Sequence, residues 1–312
     1  MAHNPAPVEL SGLALVDKPQ GMTSHDVVSV MRKAFNTRKV GHAGTLDPAA
    51  TGVLIVGVGR ATKLLGLLQL ENKSYETTIV LGVSTTTEDA DGDVLRRTDP
   101  HVLGALTPQR ILQTAEHFVG EIEQVPSAVS AIKVDGMRAY ERVRRGETVE
   151  LKPRPVTIYQ FQIDGIKRQP STGYWEVRAT VECSSGTYIR ALARDFGRAL
   201  GADAHITALR RTRVGDFCLN DAHPLAYYRQ CIDNGERPPL SLSLDEATQR
   251  GRQIRSISAQ EAHKLALGQR ITLSGLAGVY AAVDEEGRTV ALLKEDNGKM
   301  SFVFVVRPST LN

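Results

Sequence analysis

Asp47 is the one carboxylate in GHAGTLDPAATGVL, residues 41–54, a glycine-rich stretch that runs into an apolar segment. Three chemistries compete for it: a metal loop, a turn that is acidic by chance, and a loop that presents a nucleophile. An EF-hand loop needs several acidic side chains at alternating positions, and this stretch has one. His42 lies five residues before Asp47, and a lone loop histidine is more often structural than catalytic. The frame around the pair is more informative. Gly41, Gly44 and Gly52 allow tight turns and close approach, while Pro48 stiffens the chain and biases Asp47 toward an extended backbone. A loop of this composition holds a side chain in place.

Two further clusters carry chemistry. CSSGTYIRALARD puts Tyr188 and Arg190 at the mouth of a helix with Thr187 as its expected cap, where a guanidinium can pair with a carboxylate and keep it ionised. NKSYETTIVLG opens a strand with Tyr75, whose ring offers a stacking face. Nucleotide motifs are missing: no GxxxxGK[ST] string occurs, and GVGRATK lacks the third glycine of a dinucleotide fingerprint. TEDADGDV, residues 87–94, reads as a solvated turn after a strand, with a weak cation site as the lesser alternative.

The elements that must carry these residues follow from periodicity. TSHDVVSVMRKAF has Val27, Val28, Met31, Ala34 and Phe35 at helical spacing behind a Thr/Ser start, and TPQRILQTAEHFVG has Thr107 as cap and Pro108 at the first helical position. GVLIVGVG reads as a buried strand and YETTIVLG as an alternating one with Tyr75, Thr77, Ile79 and Leu81 on one face. PVTIYQFQI and YWEVRATVEC are strands, and Ile189, Leu192, Ala193, Phe196, Ala199 and Leu200 give a third helix. Asn-Gly, Pro-Pro and Ser repeats near residues 234–243 signal a connection. The expected division is a loose tail at 1–11, a main domain at 12–221, a linker at 222–254 and a small, mostly β domain at 255–312.

With 312 residues and 41% hydrophobic content the chain has ample material for a core. Its net charge of +3 is too small to announce a polyanion partner, so local clusters matter more. Cys183, Cys218 and Cys231 form no CxxC pair, which fits a reducing compartment, and the start lacks the pattern of a secretory leader. The expected location is the cytoplasm. Three basic clusters flank the motifs: Arg32, Lys33, Arg38 and Lys39; Arg142, Arg144, Arg145, Lys152 and Arg154; and Arg210, Arg211 and Arg213. Together they suggest a phosphate track for folded RNA.

DKPQGMTSHDVV, GHAGTLDPAATGVL, KSYETTIVLG, PSAVSAIKVDGMRAYERVRRGE and CSSGTYIRALARDFGRALG, in that order from about Gly12 to about Arg213, resemble the successive motifs of the TruB-type tRNA pseudouridine synthases. The resemblance implies an α+β fold, with a central, mostly antiparallel sheet flanked by helices and a small, mostly β, PUA-like RNA-binding domain at the end. It implies isomerisation of the T-loop uridine of tRNA, usually numbered 55, with base flipping and no cofactor, metal or ATP. Carried over by position, Asp47 is the catalytic carboxylate, acting at the sugar as nucleophile or as base. Arg190 is its partner and Tyr75 stacks on the target base. His42 inserts where the base has left, Tyr188 lies beside the pocket, Leu209 walls it, and Lys18 belongs to a mainly architectural motif in the binding region. The implied partner is the T-arm of tRNA, bound by a monomer without membrane or guide RNA. The alternatives are a tRNA folding factor, which needs no Asp47, and a guide-RNA-dependent enzyme acting on ribosomal RNA.

Overall fold

The computed structural model describes residues 10–127 and 151–311, with the short strands Lys133–Val134 and Met137–Arg138 between them. It divides into two compact units, one made of the chain up to Gln69 together with the chain from Gly215 onward, the other of Leu70–Val214. No described helix is long and apolar enough to cross a membrane.

In the first unit the apolar run is the central strand. Thr51–Val58 pairs antiparallel with Gly12–Lys18 on one side, from Gly12 opposite Val58 to Lys18 opposite Gly52, and with Val40–Ala43 on the other. Successive residues from Gly52 to Val58 are all buried, so both faces of the strand are covered, which is why it reads as continuous rather than alternating. Val40–Ala43 and Thr51–Val58 form a hairpin, and residues 44–50 with Asp47 are its connection. Gly41 faces Gly57 across this hairpin, and a Cβ on Gly41 would come 2.8 Å from Leu65. That glycine serves close packing. The helix Ser24–Ala34 starts with a capping box in which Thr23 and Asp26 satisfy each other's backbone N–H groups, and it buries Val27, Val28, Met31 and Ala34.

The second unit is a five-stranded antiparallel array. Lys73–Leu81 lies between Trp175–Cys183 and Ala204–Val214, and Arg154–Arg168 and Gly120–Gln124 continue outward from Trp175–Cys183. Burial alternates as the sequence predicts, with Tyr75, Thr77, Ile79 and Leu81 inward. Pro108–Glu116 begins at Thr107, whose hydroxyl accepts from the Arg110 N–H. Edge-to-face contacts among Phe118, Phe161 and Phe196, with centroids 5.2–6.4 Å apart, seat the helix Ile189–Ala199 on the strand Arg154–Arg168.

The stretch 222–254 carries two helices, Leu225–Asp233 and Leu244–Gln249. Its Asn-Gly pair marks the end of the first of them: Asn234 is the C-cap and Gly235 takes a φ of 71°. Tyr228 is fully buried and donates to the Leu15 carbonyl. The turn residues therefore punctuate packed structure.

At the C-terminus, Ile254–Ser256, Val279–Val283, Thr289–Asp296 and Lys299–Val305 form a four-stranded sheet around a core of Ile257, Leu265, Tyr280, Val290, Leu293 and Met300. Two arginines fasten the end of its last strand within the first unit. Arg60, two residues after Thr51–Val58, donates to the carbonyls of Val305 and Val306 at 2.8 and 2.9 Å, and Arg307 meets both oxygens of Asp245 at 2.6 and 2.7 Å. The fold is thus α+β, with mostly antiparallel strands and a small β sheet at the end, as expected.

Glu295 organises the loop beside that sheet. Its carboxylate accepts from the Ser274 N–H and hydroxyl, the Gly275 N–H, each at 2.8 Å, and from the Tyr280 phenol. Burial pushes the carboxyl up, but these bonds outweigh it and hold its pKa down at about 2. The folded carboxyl is thus a weaker base than the unfolded one near 4.5, so its stabilisation is complete above that pH and is lost as pH falls toward 2. Denaturant titrations of Glu295→Gln are expected to show lower stability at neutral pH, with the gap to the wild type closing between pH 4.5 and 2.

Candidate active site

The loop that carries Asp47 is pinned from two sides. Lys18 has no exposed surface, and its ammonium donates to the carbonyls of Met22 at 2.6 Å, Pro19 at 3.0 Å and Pro48 at 3.3 Å. The Gly21 N–H adds a 2.8 Å bond to the same Pro48 carbonyl. On the other side the buried Ser24 hydroxyl donates to the Leu46 carbonyl at 3.1 Å and accepts from the Leu46 N–H at 2.9 Å. Gly44, with φ 79°, and Gly52, with φ 102°, open and close the loop in backbone conformations that side chains rarely adopt. Asp47 is half-buried, and its carbonyl accepts from the Ala50 N–H at 3.1 Å. His42 lies on Val40–Ala43 opposite Val56, also half-buried. Lys18 therefore acts as the anchor of this loop, the architectural half of its expected role.

In the second unit, register brings Tyr75 and Leu209 to one face. Tyr75 lies opposite Arg211, and Leu209 opposite Thr77. Tyr75 is 7% exposed. Lys73 and Tyr75 share that face of the strand, and burial, with the Arg211 guanidinium nearby, lowers the Lys73 ammonium to about 8. Burial likewise pushes the Cys183 thiol, opposite Lys73, up to about 11. Arg211 is itself 1% exposed, so it does not belong to the expected phosphate track: strand alternation turns it to the inner face. Arg213 is half-buried and meets Glu182 at 2.6 Å. Arg142, Arg144 and Arg145 lie outside the described residues.

Tyr188 is the N-cap of Ile189–Ala199. The expected cap, Thr187, instead donates its hydroxyl to the Ser184 carbonyl at 3.0 Å, closing the turn before the helix. Arg190 is buried, and its Nη1 donates to the Thr87 carbonyl at 2.7 Å and to the Ser127 hydroxyl at 3.2 Å. The Asp89 carboxylate lies 3.7 Å from the same nitrogen.

Residues 32–189 match the family model described as TruB family pseudouridylate synthase, N-terminal domain. Residues 190–235 match a tRNA pseudouridylate synthase B C-terminal domain, and 253–307 match tRNA pseudouridine synthase II, C terminal. A Corynebacterium diphtheriae protein named tRNA pseudouridine synthase B is 50% identical over 301 residues, 96% of this chain and 98% of its own. One of the same name from Mycolicibacterium paratuberculosis is 51% identical over 300 residues, 96% of this chain and 99% of its own. The chain belongs to the TruB family. It is a pseudouridine synthase of that family. Its fold is shared with a chain from an H/ACA RNP structure bound to a substrate RNA containing 2'-deoxyuridine, at a TM-score of 0.70 and 24% identity over 97% of this chain and 87% of that one.

Sequence reasoning missed one buried neighbour of Arg190. The stretch 87–94, expected as a solvated turn, holds Asp89 buried beside Arg190. Its carboxylate accepts from the Thr87 hydroxyl and the Asp91 N–H, and its carbonyl accepts from the buried Thr85 hydroxyl. Only Asp89 among the four acidic residues of that stretch is classed as buried, and the run of threonines before it was the available signal. Charge-assisted contacts of this kind are worth about 1.5–3 kcal/mol. Asp89→Asn is expected to lower the single-turnover rate by about 10- to 100-fold with little change in RNA affinity, as measured by rapid quench and filter binding.

Proposed function

We propose that this TruB-family enzyme converts the T-loop uridine of tRNA, usually numbered 55, to pseudouridine, with Asp47 as the catalytic carboxylate. The observation that carries this reading is the pinned loop: Lys18 and Ser24 fix the backbone on either side of a half-buried carboxylate. Preorganised charge of this kind costs little reorganisation when the reaction occurs. The names of the relatives that match nearly the whole chain at about half identity support tRNA as the substrate. The larger identity to those proteins than to the H/ACA chain favours action without guide RNA.

The reaction conserves its atoms. The bond from uracil N1 to ribose C1′ breaks, the base turns, a bond from C5 to C1′ forms, the C5 proton leaves and N1 gains one. Nothing is oxidised or added. Asp47 acts at C1′ or on a sugar proton, Arg190 keeps it ionised, and Tyr75 stacks on the flipped base and serves the C5 proton transfer. Tyr188 and Leu209 exclude water from the detached intermediate, and His42 fills the space the base leaves in the RNA. We assign the catalytic domain to 12–221 and an RNA-binding role to 255–312, acting as a monomer in the cytoplasm.

Release of tritium from 5-tritiated uridine in a T-arm stem-loop, without ATP, metal or guide RNA, tests this reading. The wild type is expected to release it, and Asp47→Asn to lose about a thousandfold or more in rate while still binding the stem-loop. Isomerisation retained by Asp47→Asn would overturn the assignment. Binding is also expected to weaken at least about tenfold between roughly 50 and 200 mM salt, since Lys33, Arg38, Lys152 and Arg154 would replace counterions on the backbone. A flat titration counts against that track.

A further inference from the structure

We propose that Gln124 and Ser127 are positioning residues for the catalytic step, a brace that fixes the direction of the Arg190 guanidinium. The proposal rests on the assignment of Arg190 above. Both side chains are 1% exposed, and both turn to the first turn of Ile189–Ala199.

Gln124 treats Tyr188 as a strand would. Its amide oxygen accepts from the Tyr188 N–H at 2.8 Å, and its amide nitrogen donates to the Tyr188 carbonyl at 3.1 Å. That carbonyl also accepts the helix's own bond from the Leu192 N–H at 2.9 Å, so both its lone pairs are used. Gln124 satisfies the Tyr188 N–H, one of the donors at this helix start, from 64 residues away in the chain. Ser127 then meets the guanidinium itself, accepting from Arg190 Nη1 at 3.2 Å. One turn further on, Arg194 Nη2 donates to the Val125 carbonyl at 2.7 Å, and its Nη1 pairs with Glu88 at 2.7 Å. Residues 124–127 therefore hold the helix at Tyr188, Arg190 and Arg194.

The segment is stiff enough to transmit that hold. Pro126 fixes its own φ and biases Val125 toward an extended backbone, so Gln124 and Ser127 keep a set relation to each other. A buried guanidinium without such acceptors would swing to find others, and an arginine that must aim at a small anion has one useful direction. Simple packing does not account for the choice of polar atoms: an apolar pair of the same shape would fill the space, but would leave the Tyr188 N–H without its acceptor and Arg190 with fewer.

The test is single-turnover pseudouridine formation with tRNA affinity and thermal stability measured alongside, on Ser127→Ala, Ser127→Thr and Gln124→Leu. Ser127→Ala and Gln124→Leu are each expected to slow the reaction by about tenfold or more at unchanged affinity, with the protein still fully folded at the assay temperature despite a lower melting temperature, and Ser127→Thr to stay within about threefold of the wild type. Wild-type rates in both deleting variants would overturn the proposal, as would losses explained by unfolding at the assay temperature or by weaker affinity, or a threonine variant as slow as the alanine one. Arg190→Met separates the two claims. If it reacts at the wild-type rate, the assignment of Arg190 fails. If it is inactive while Ser127→Ala and Gln124→Leu react normally, the brace alone fails.

Discussion

A cation withdrawn from water must be surrounded by acceptors, and this structure uses that demand twice. A buried ammonium or guanidinium left without partners costs several kcal/mol, so the chain around it has few conformations open to it. Lys18 gathers the carbonyls of Pro19, Met22 and Pro48, and so draws two separate loops together beside Asp47. Arg190 gathers Thr87, Asp89 and Ser127, and so draws two segments of the second unit onto one helix start. In each unit a charge that does not face solvent sets the backbone next to a side chain proposed to act on the RNA. Removing either cation would take a donor from several acceptors at once, which is a larger loss than any single bond suggests.

Sheet architecture makes these hubs possible. The hairpin of Val40–Ala43 and Thr51–Val58 fixes both ends of the Asp47 loop, and its central strand is paired on both edges and buried on both faces. In the second unit Lys73–Leu81 is central in the same sense, so Tyr75 projects from a strand paired on both sides rather than from a loop. Sites built on such strands keep their geometry better than sites built on loops. The phenylalanine cluster then seats the helix of Arg190 on the same array, leaving its first turn to be set by polar contacts. The C-terminal sheet follows the same logic. Arg60 ties the end of its last strand to the turn just after the central strand of the first unit, through bonds to backbone carbonyls whose direction is fixed.

Much of this was legible beforehand because it is local. The Thr/Ser start of the first helix, the Thr107-Pro108 start, the alternation of Tyr75, Thr77, Ile79 and Leu81, and the continuous run after Gly52 each depend on neighbours within a few residues, and each appears where the local pattern put it. Thr187 was misread because a threonine before a helix can bond forward to cap it or backward to close a turn, and the choice depends on what else meets Tyr188. Asp89 was misread for a related reason: an acidic, glycine-containing stretch has the composition of a solvated turn, and only the arrival of Arg190 from 101 positions away makes one of its carboxylates a buried partner. Arg211 shows the reverse error. Clustered arginines suggest a charged surface, but strand alternation sends this one inward.

The sequence by itself determined the elements, the family and the side chains capable of the chemistry, because periodicity, caps and motif spacing are short-range properties of the chain. Tertiary structure alone decided which of the charged and polar residues lose water. That choice made Lys18 an anchor, Asp89 a partner of Arg190, and Gln124 and Ser127 its neighbours. Burial depends on segments brought together from far along the chain, and no window of local sequence contains it.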